Sequence, residues 1–136
     1  MKAHIARNQY AGIPTLLLWN INTGDRGKLA GIAGAFRNMR ILVVQPQDAG
    51  CTVAQLLGDA AGRNMAPMKQ PADTPAILMA NFKDKEVDSL LALCRQMEVY
   101  APLKALATDS NRRWAFAYLL EHLAEEHAEW QARQKP

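Results

Sequence analysis

Thr15-Leu16-Leu17-Leu18-Trp19 and Ala76-Ile77-Leu78-Met79-Ala80 are two short apolar runs, and each of them follows a proline. Runs of this length between turn-forming residues are typical of buried β-strands. Strands that are apolar on both sides occur where helices cover both faces of a sheet. The two runs therefore predict the central strands of an α/β fold.

A helical pattern follows each run. After the first run, Asn22, Thr23 and Asp25 are residues that commonly begin helices, and apolar residues recur at helical spacing up to residue 38. After the second run, an apolar stripe follows Asp84 at the same spacing. The stripe consists of Val87, Leu90, Leu91, Cys94 and Met97. Each strand is therefore predicted to lead into a helix.

A second strand and a second helix complete each half of the chain. The strands are predicted at residues 41–44 and 103–106, and the helices at about residues 53–62 and 110–133. The halves align at an offset of 61 residues, from Pro14 to Pro75. The same offset pairs further identical residues, namely Asn20 with Asn81, Leu29 with Leu90, Leu42 with Leu103, Asp48 with Asp109 and Ala54 with Ala115.

This doubled order predicts one domain over residues 1–136. It consists of two βαβα halves, at about residues 14–62 and 75–134, and a linker at residues 63–74. Together the halves are expected to form an α/β fold with a four-stranded, mostly parallel sheet covered by helices. Strands within each half are expected to be parallel, with right-handed crossovers.

The composition is that of an ordinary globular chain, with 136 residues of which 49% are hydrophobic and 21% are charged. A chain of this length buries enough surface to fold without a metal or a disulfide. Sixteen basic against thirteen acidic residues give a net charge of +3, and the basic residues are scattered, which argues against nucleic acid as a partner. Cys51 and Cys94 lack metal-ligand spacing, so we expect no metal site and no disulfide framework.

The longest apolar runs are far shorter than the roughly 20 residues of a membrane span. The first ten residues contain no apolar core of a secretory signal. We therefore expect a cytoplasmic protein with no membrane association.

The segment from Lys104 to Trp114 is the most specific candidate site. Thr108-Asp109-Ser110-Asn111 follows the last predicted strand, and the free N–H groups at the start of a helix favour an anion. Lys104, Thr108, Asn111 and Trp114 are therefore predicted to form one ligand-binding cluster for a small anionic ligand. The alternative is that Thr108 and Asn111 only cap the helix and that Trp114 belongs to the core.

Small residues dominate one side of the first predicted helix. These residues are Gly27, Ala30, Gly31 and Gly34. Leu29, Ile32 and Phe36 lie on its other side, so the helix has to be covered on two sides. The small residues either pack inside the monomer or contact a second copy, and from the second alternative we predict a homo-oligomer.

Residues 77–130 resemble a known family. The resemblance rests on Met79-Ala80-Asn81-Phe82, a leucine-rich helix, Leu103-Lys104-Ala105 with the downstream Thr108, Asn111 and Trp114, and the closing Glu125-Glu126-His127. In this pattern the chain resembles DUF3783, a bacterial family of small domains with no defined activity. Asp109 stands where the family often has proline, and the first half departs further from the pattern. The resemblance implies a fold boundary and a candidate surface, but no reaction.

Nothing in the sequence assigns a catalytic residue or a cofactor. We therefore expect a small, non-enzymatic binding or regulatory module. The alternative is a protein or enzyme that binds a small anion or nucleotide at the turns near residues 46–52 and 107–112. These turns would lie together if a two-fold axis related the halves, and ligands of open α/β sheets gather at the carboxyl ends of strands.

Overall fold

The computed structural model describes residues 12–36, 38–62 and 72–134, which form one four-stranded sheet with helices on both faces. The strands are β1 (Thr15–Trp19), β2 (Arg40–Val43), β3 (Ala76–Ala80) and β4 (Leu103–Leu106). The helices are α1 (Thr23–Ala33), α2 (Val53–Leu57), α3 (Asp84–Gln96) and α4 (Phe116–Gln134). Short 3-10 turns at Pro46–Asp48 and Asn111–Arg113 precede α2 and α4.

The strand order is β2-β1-β3-β4. The pairs β1–β2 and β3–β4 are parallel, whereas the central pair β1–β3 is antiparallel. Leu17 lies opposite Leu78 at the middle of this central pair, with Thr15 opposite Ala80 and Trp19 opposite Ala76. The predicted α/β fold with a mostly parallel, four-stranded sheet is therefore confirmed.

The two central strands are buried at every position because each face of the sheet carries a pair of helices. On one face, Leu29 of α1 and Leu90 of α3 pack against Leu16, Leu18 and Ile77. On the other face, α2 and α4 pack against the alternate strand residues. The largest members of this second core are Leu17, Trp19, Val53, Leu78, Phe116 and Leu120. The apolar runs thus contribute to both cores, as the sequence predicts.

The two halves keep matching positions along the chain. α1 begins at Thr23 and α3 at Asp84, which fits the predicted offset. Because α3 has 13 residues and α1 has 11, the later strand β4 and helix α4 of the second half are displaced by two more residues. Arg40 and Leu103 therefore begin corresponding strands, and the predicted alignment of Leu42 with Leu103 is wrong by two residues. That the halves repeat one unit stays a prediction.

Three predicted helix boundaries are wrong. α1 ends at Ala33 instead of residue 38, and Gly34 caps it. α2 ends at Leu57 instead of residue 62 because Gly58 has φ 86°, a left-handed conformation that ends helices and favours glycine. α4 begins at Phe116 instead of residue 110 because the backbone of Trp114 is extended, with ψ 147°.

Identical residues end the two central strands. Asn20 and Asn81 both have left-handed backbones, with φ 55° and 66°, and asparagine tolerates this conformation better than most residues. The Asn81 amide donates to the Ile13 carbonyl at 3.2 Å, and the Asn20 amide donates to the carbonyl of Asp73. Each asparagine thus ties the end of its own strand to the segment before the opposing strand.

Residues 63–71 of the predicted linker lie outside the described residues. Of its remaining residues, Ala72 packs at the end of β1, where its carbonyl accepts a hydrogen bond from Trp19 Nε1 at 2.8 Å. Among the described helices, none combines the length and the apolar character needed to cross a membrane.

The small-residue side of α1 faces outward. Gly27, Ala30 and Gly31 are exposed, and a Cβ added at Gly27 or Gly31 would meet no atom within 4 Å. Leu29 and Ile32 on the other side are buried. The alternative that these small residues pack inside the monomer is therefore wrong, and contact with a second copy at this helix stays a prediction.

Candidate functional site

The predicted cluster begins with a closed turn between Thr108 and Asn111. The Thr108 N–H donates to Asn111 Oδ1 at 2.8 Å, and the Asn111 N–H donates to Thr108 Oγ1 at 3.1 Å. The Asn111 amide also donates to the Leu106 carbonyl at 3.0 Å. Both side chains thus satisfy backbone groups around the 3-10 turn, which is the capping arrangement.

The first N–H groups of α4 also have protein partners. Phe116 N–H donates to the Cys51 carbonyl and Ala117 N–H to the Ala49 carbonyl, each at 2.8 Å. In return, Val53 N–H at the start of α2 donates to the Trp114 carbonyl at 3.0 Å. The carbonyl groups of the opposite half therefore occupy the helix starts that the anion hypothesis requires to be open.

Lys104 lies on the other face of the sheet from Trp114. Its strand neighbours Leu103 and Ala105 pack in the same core as Trp114, and successive strand residues point to opposite faces. The Lys104 amine donates to the Ala101 carbonyl at 2.6 Å. The structure therefore brings Thr108 and Asn111 together and turns Lys104 to the other face, and ligand binding by these four residues stays a prediction.

Trp114 is partly buried against the core beneath α4, as the alternative interpretation predicts. Its ring makes edge contacts with Tyr118 and His122, with centroids 5.1 Å and 5.6 Å apart. His122 Nε2 lies 3.4 Å from Glu126 Oε1. Trp114 therefore lies just before α4 and begins an aromatic row that continues along this helix through Tyr118 and His122.

Arg112 joins the two halves beside this turn. Its guanidinium donates to Asp59 Oδ2 at 2.9 Å and to Asn81 Oδ1 at 2.8 Å. The Arg112 side chain is only 16% exposed. Its charge is therefore engaged within the protein, which disfavours a role for this arginine as a nucleic-acid contact.

The turns near residues 46–52 and 107–112 begin at opposite ends of the sheet, measured along the strands. Because the central pair is antiparallel, the carboxyl ends of β1 and β2 lie at one end of the sheet and those of β3 and β4 lie at the other. From these opposite ends, the two segments run toward each other, and their later parts meet at the bridge between Thr52 and Ala115. The two segments therefore start at opposite ends of the strands but come into contact at Thr52 and Ala115, and a ligand site shared by them stays a prediction.

A small crevice is present at each set of strand ends. The crevice at β1 and β2 has a volume of about 190 Å³ and includes Trp19, Asn20 and Arg26. The crevice at β3 and β4 has about 60 Å³ and includes Asn81, Asp84 and Thr108. Both are smaller than the roughly 300 Å³ or more of ordinary small-molecule sites.

Asp25 is a buried polar residue whose role sequence reasoning missed. It is 5% exposed, and its Oδ2 accepts from the Tyr100 N–H at 2.9 Å and from the Asn22 amide at 3.0 Å. Lys28 Nζ lies 3.1 Å from its Oδ1. The Tyr100 hydrogen bond, with help from Lys28 and Asn22, lowers the pKa of Asp25, although burial acts to raise it. Asp25 thus ties α1 to the segment before β4.

Both cysteines are buried. Burial raises the pKa of the Cys94 thiol, while the Lys104 charge lowers it in part. A thiol with a raised pKa is a weak nucleophile at neutral pH. Across residues 12–36, 38–62 and 72–134, no group of three or more His, Cys, Asp or Glu side chains is placed to hold a metal ion.

A larger groove, which no sequence pattern predicts, lies between β4 and the end of α4. We call it the β4–α4 groove, and its volume is about 370 Å³. Its lining comprises Pro102, Leu103, Lys104, Leu123, Glu126, His127, Glu129, Trp130 and Arg133. The last part of α4, residues 125–134, is exposed except for the half-buried His127, and we call it the overhang. Groove and overhang arise because α4 continues past the covered part of the sheet.

Among the described residues, no strand pairs with the outer side of β4, and this open edge forms one side of the groove. Leu103 N–H donates to Pro75 and Ala107 N–H to Met79, so these residues face β3. Strand alternation turns the N–H and C=O groups of Lys104 and Leu106 to the opposite, open edge. Trp130 of the overhang is 55% exposed, and its ring stacks on His127 with centroids 6.3 Å apart.

The segment that builds this groove extends from β3 through α4, and it is also the segment with a family match. Residues 75–130 match DUF3783, a domain of unknown function. The DUF3783 match contains β3, α3, β4 and most of α4, and it confirms the resemblance predicted from residue 77 onward. Comparisons with curated proteins and with solved structures found no match.

Proposed function

We propose that this chain is a non-enzymatic binding module that holds an extended polypeptide segment in the β4–α4 groove. The observation that carries the proposal is the open edge of β4 beside the overhang. An open strand edge offers backbone hydrogen bonds to an added strand, and flanking pockets select its side chains.

The lining of the groove suits such a segment. Leu103 and Leu123 provide apolar surface at its floor, and Trp130 provides an exposed aromatic side chain at its rim. Glu126, Glu129 and Arg133 add charged groups along the rim. Apolar floors with polar rims, and tryptophan in particular, are typical of protein-binding surfaces.

Binding of a small anion or nucleotide is less well supported. The helix starts near both proposed turns bond to carbonyl groups of the opposite half, and Lys104 is directed elsewhere. An anion would have to displace these bonds to reach the N–H groups. Cytoplasmic location stays a prediction.

The proposal is tested by selecting binders from a displayed library of random peptides on the immobilised full chain. Trp130→Ser should weaken the binding of the enriched peptides by at least about tenfold, because tryptophan is among the residues that contribute most to binding energy at interfaces. Tyr118→Ser is the matched control, since Tyr118 lies on the same helix with 54% exposure, outside the groove.

Failure of the monomeric chain to enrich any peptide would contradict the proposal, and so would equal affinity for the Trp130→Ser variant. A thermal-shift series with inorganic phosphate and ATP serves as the second arm. Stabilisation of the chain by either anion would favour the alternative function, because a ligand that prefers the folded state raises its stability.

A further inference from the structure

We infer that the segment held in the β4–α4 groove is β4 of a second copy of this chain. Two sheets would then join edge to edge into one continuous sheet. This inference rests on the proposed function and names the partner of that binding surface.

The backbone of β4 permits such pairing in one favourable register. Lys104 and Leu106 turn their N–H and C=O groups to the open edge, so each can exchange two hydrogen bonds with an antiparallel strand. Placing Lys104 of one copy opposite Leu106 of the other puts Ala105 opposite its own counterpart. This register keeps the two lysines from facing each other, which like charges disfavour.

The side chains on the face of α1 and α3 are compatible with this register. The Lys104 amine bonds to the Ala101 carbonyl, which holds this charge back along its own chain. Leu106 is 44% exposed on the same side of the strand and would be covered by the added strand. The Leu106 carbonyl already accepts one hydrogen bond from Asn111, and a carbonyl oxygen has a second lone pair for the partner strand.

The charges of the groove favour a second copy over a strongly charged peptide. Two acidic residues, Glu126 and Glu129, line it together with the basic Arg133, whereas the Lys104 amine is held on the other face of the sheet. A surface that carries both signs of charge can complement its own rotated copy, because Arg133 of each copy can face an acidic residue of the other. A strongly acidic or strongly basic segment would leave some of these charges beside a like charge.

The overhang supplies the area that the strand edge lacks. β4 has four residues, and a strand edge of this length is small beside the roughly 800 Å² per partner of a standard interface. The overhang adds the exposed Trp130 and lies beyond the core of its own monomer. In the proposed dimer, each overhang packs over the β4 strand of the other copy.

The inference is tested by sedimentation equilibrium of the full chain over a range of concentrations. The unmodified chain, Tyr118→Ser and Gly31→Leu should form dimers. Trp130→Ser should raise the dissociation constant of the dimer by at least about tenfold. Gly31→Leu examines the small-residue side of α1, where added atoms meet open space.

A cysteine cross-link tests the register itself. Residues directly opposite in an antiparallel pair have Cα atoms within the range that a disulfide spans. Ala105→Cys should therefore form a covalent dimer under mild oxidation. Tyr118→Cys and the unmodified chain, whose Cys51 and Cys94 are buried, should remain uncross-linked.

The outcomes separate the two proposals. If the chain is monomeric at all concentrations yet binds selected peptides through Trp130, the inference of a second copy is overturned and the proposed function remains intact. A dimer that survives Trp130→Ser without an Ala105→Cys cross-link overturns the inference, as does a dimer that Gly31→Leu dissociates. A monomer that also binds no peptide overturns both.

Discussion

Residues 14–62 and 75–134 both contain a strand, a helix, a second strand and a second helix, yet their last helices have 5 and 19 residues. The two helices begin in the same way, directly after the bridge between Thr52 and Ala115. α2 stops where Gly58 turns left-handed, whereas α4 continues through Leu119, Leu120 and Leu123. The last helices of the two halves thus begin at matching positions, and the proposed binding surface arises because α4 ends much later than α2.

The largest expected effect compares the first buried residues of α2 and α4. Phe116 is 1% exposed and packs against the Trp19 ring, with centroids 6.1 Å apart. Phe116→Ala should lower the free energy of unfolding by about 3–5 kcal/mol, through lost burial and the cavity left behind. Val53→Ala, at the corresponding position, should lower it by about 2 kcal/mol. Urea unfolding measures both, and equal losses would contradict the greater weight given to α4.

The next effect compares the carboxylates in the first turns of α1 and α3, which belong to Asp25 and Glu86. The pKa of Asp25 is lowered in the folded protein, so protonation favours the unfolded state. The stability that Asp25 contributes is present above about pH 3.9, the ordinary value for aspartate, and is lost as the pH falls through the lower folded pKa. Asp25→Asn should reduce this acid-dependent loss.

Urea unfolding between neutral pH and the acid limb measures this dependence. Glu86, which accepts from the Lys83 N–H at 2.9 Å, occupies the corresponding position of α3. Glu86→Gln leaves Asp25 in place and should therefore retain the steep loss below pH 4. An unchanged acid limb in Asp25→Asn would show that Asp25 does not contribute to it.

A third, smaller effect concerns Arg112 of the second half, which connects to Asp59 of the first half. Arg112→Ala removes the hydrogen bonds to Asp59 and Asn81, and should cost about 1–2 kcal/mol because the guanidinium is largely buried while Asp59 is exposed. Arg113→Ala, at the exposed neighbouring residue, should cost under about 0.5 kcal/mol. Similar costs for both variants in urea unfolding would contradict a role for Arg112 in joining the halves.

The smallest expected effect is stabilising. Glu98 follows α3 with φ 57°, a left-handed conformation in which a side chain costs about 1–2 kcal/mol. Glu98→Gly should therefore raise the free energy of unfolding by a net of about 0.5–1 kcal/mol, once the greater freedom of glycine in the unfolded chain is subtracted, and the thermal midpoint should rise with it. Asn38, with φ 48°, follows α1, and Asn38→Gly should gain less because asparagine tolerates this conformation. A lower midpoint for Glu98→Gly would contradict this argument.

The strands could be predicted from sequence because their residues are buried on both faces. β1, β3 and β4 have the predicted bounds, and β2 begins one residue earlier than predicted. The start of α4 could not be predicted, because Thr108 and Asn111 have capping side chains but cap a separate 3-10 turn. Residue type shows that a cap is present and leaves open which turn it serves.

The candidate site could be predicted only in part. Thr108 and Asn111 come together because they lie three residues apart, a distance that local geometry controls. Lys104 was misplaced because its side depends on the register of the whole strand, where one residue reverses the face. The groove gave no sequence signal, since it lies between β4 and residues some twenty positions later and depends on how far α4 extends beyond the sheet.

The backbone bonds between the halves also govern how the chain folds. α2 starts on the Trp114 carbonyl, and α4 starts on the carbonyls of Cys51 and Ala49, about sixty residues away in each case. Neither helix start is therefore complete until both halves of the chain have come together, and contacts between such distant residues slow folding. Loss of either half would leave buried N–H groups without acceptors. The chain should consequently lose its helical circular dichroism and its native tryptophan fluorescence in one cooperative transition.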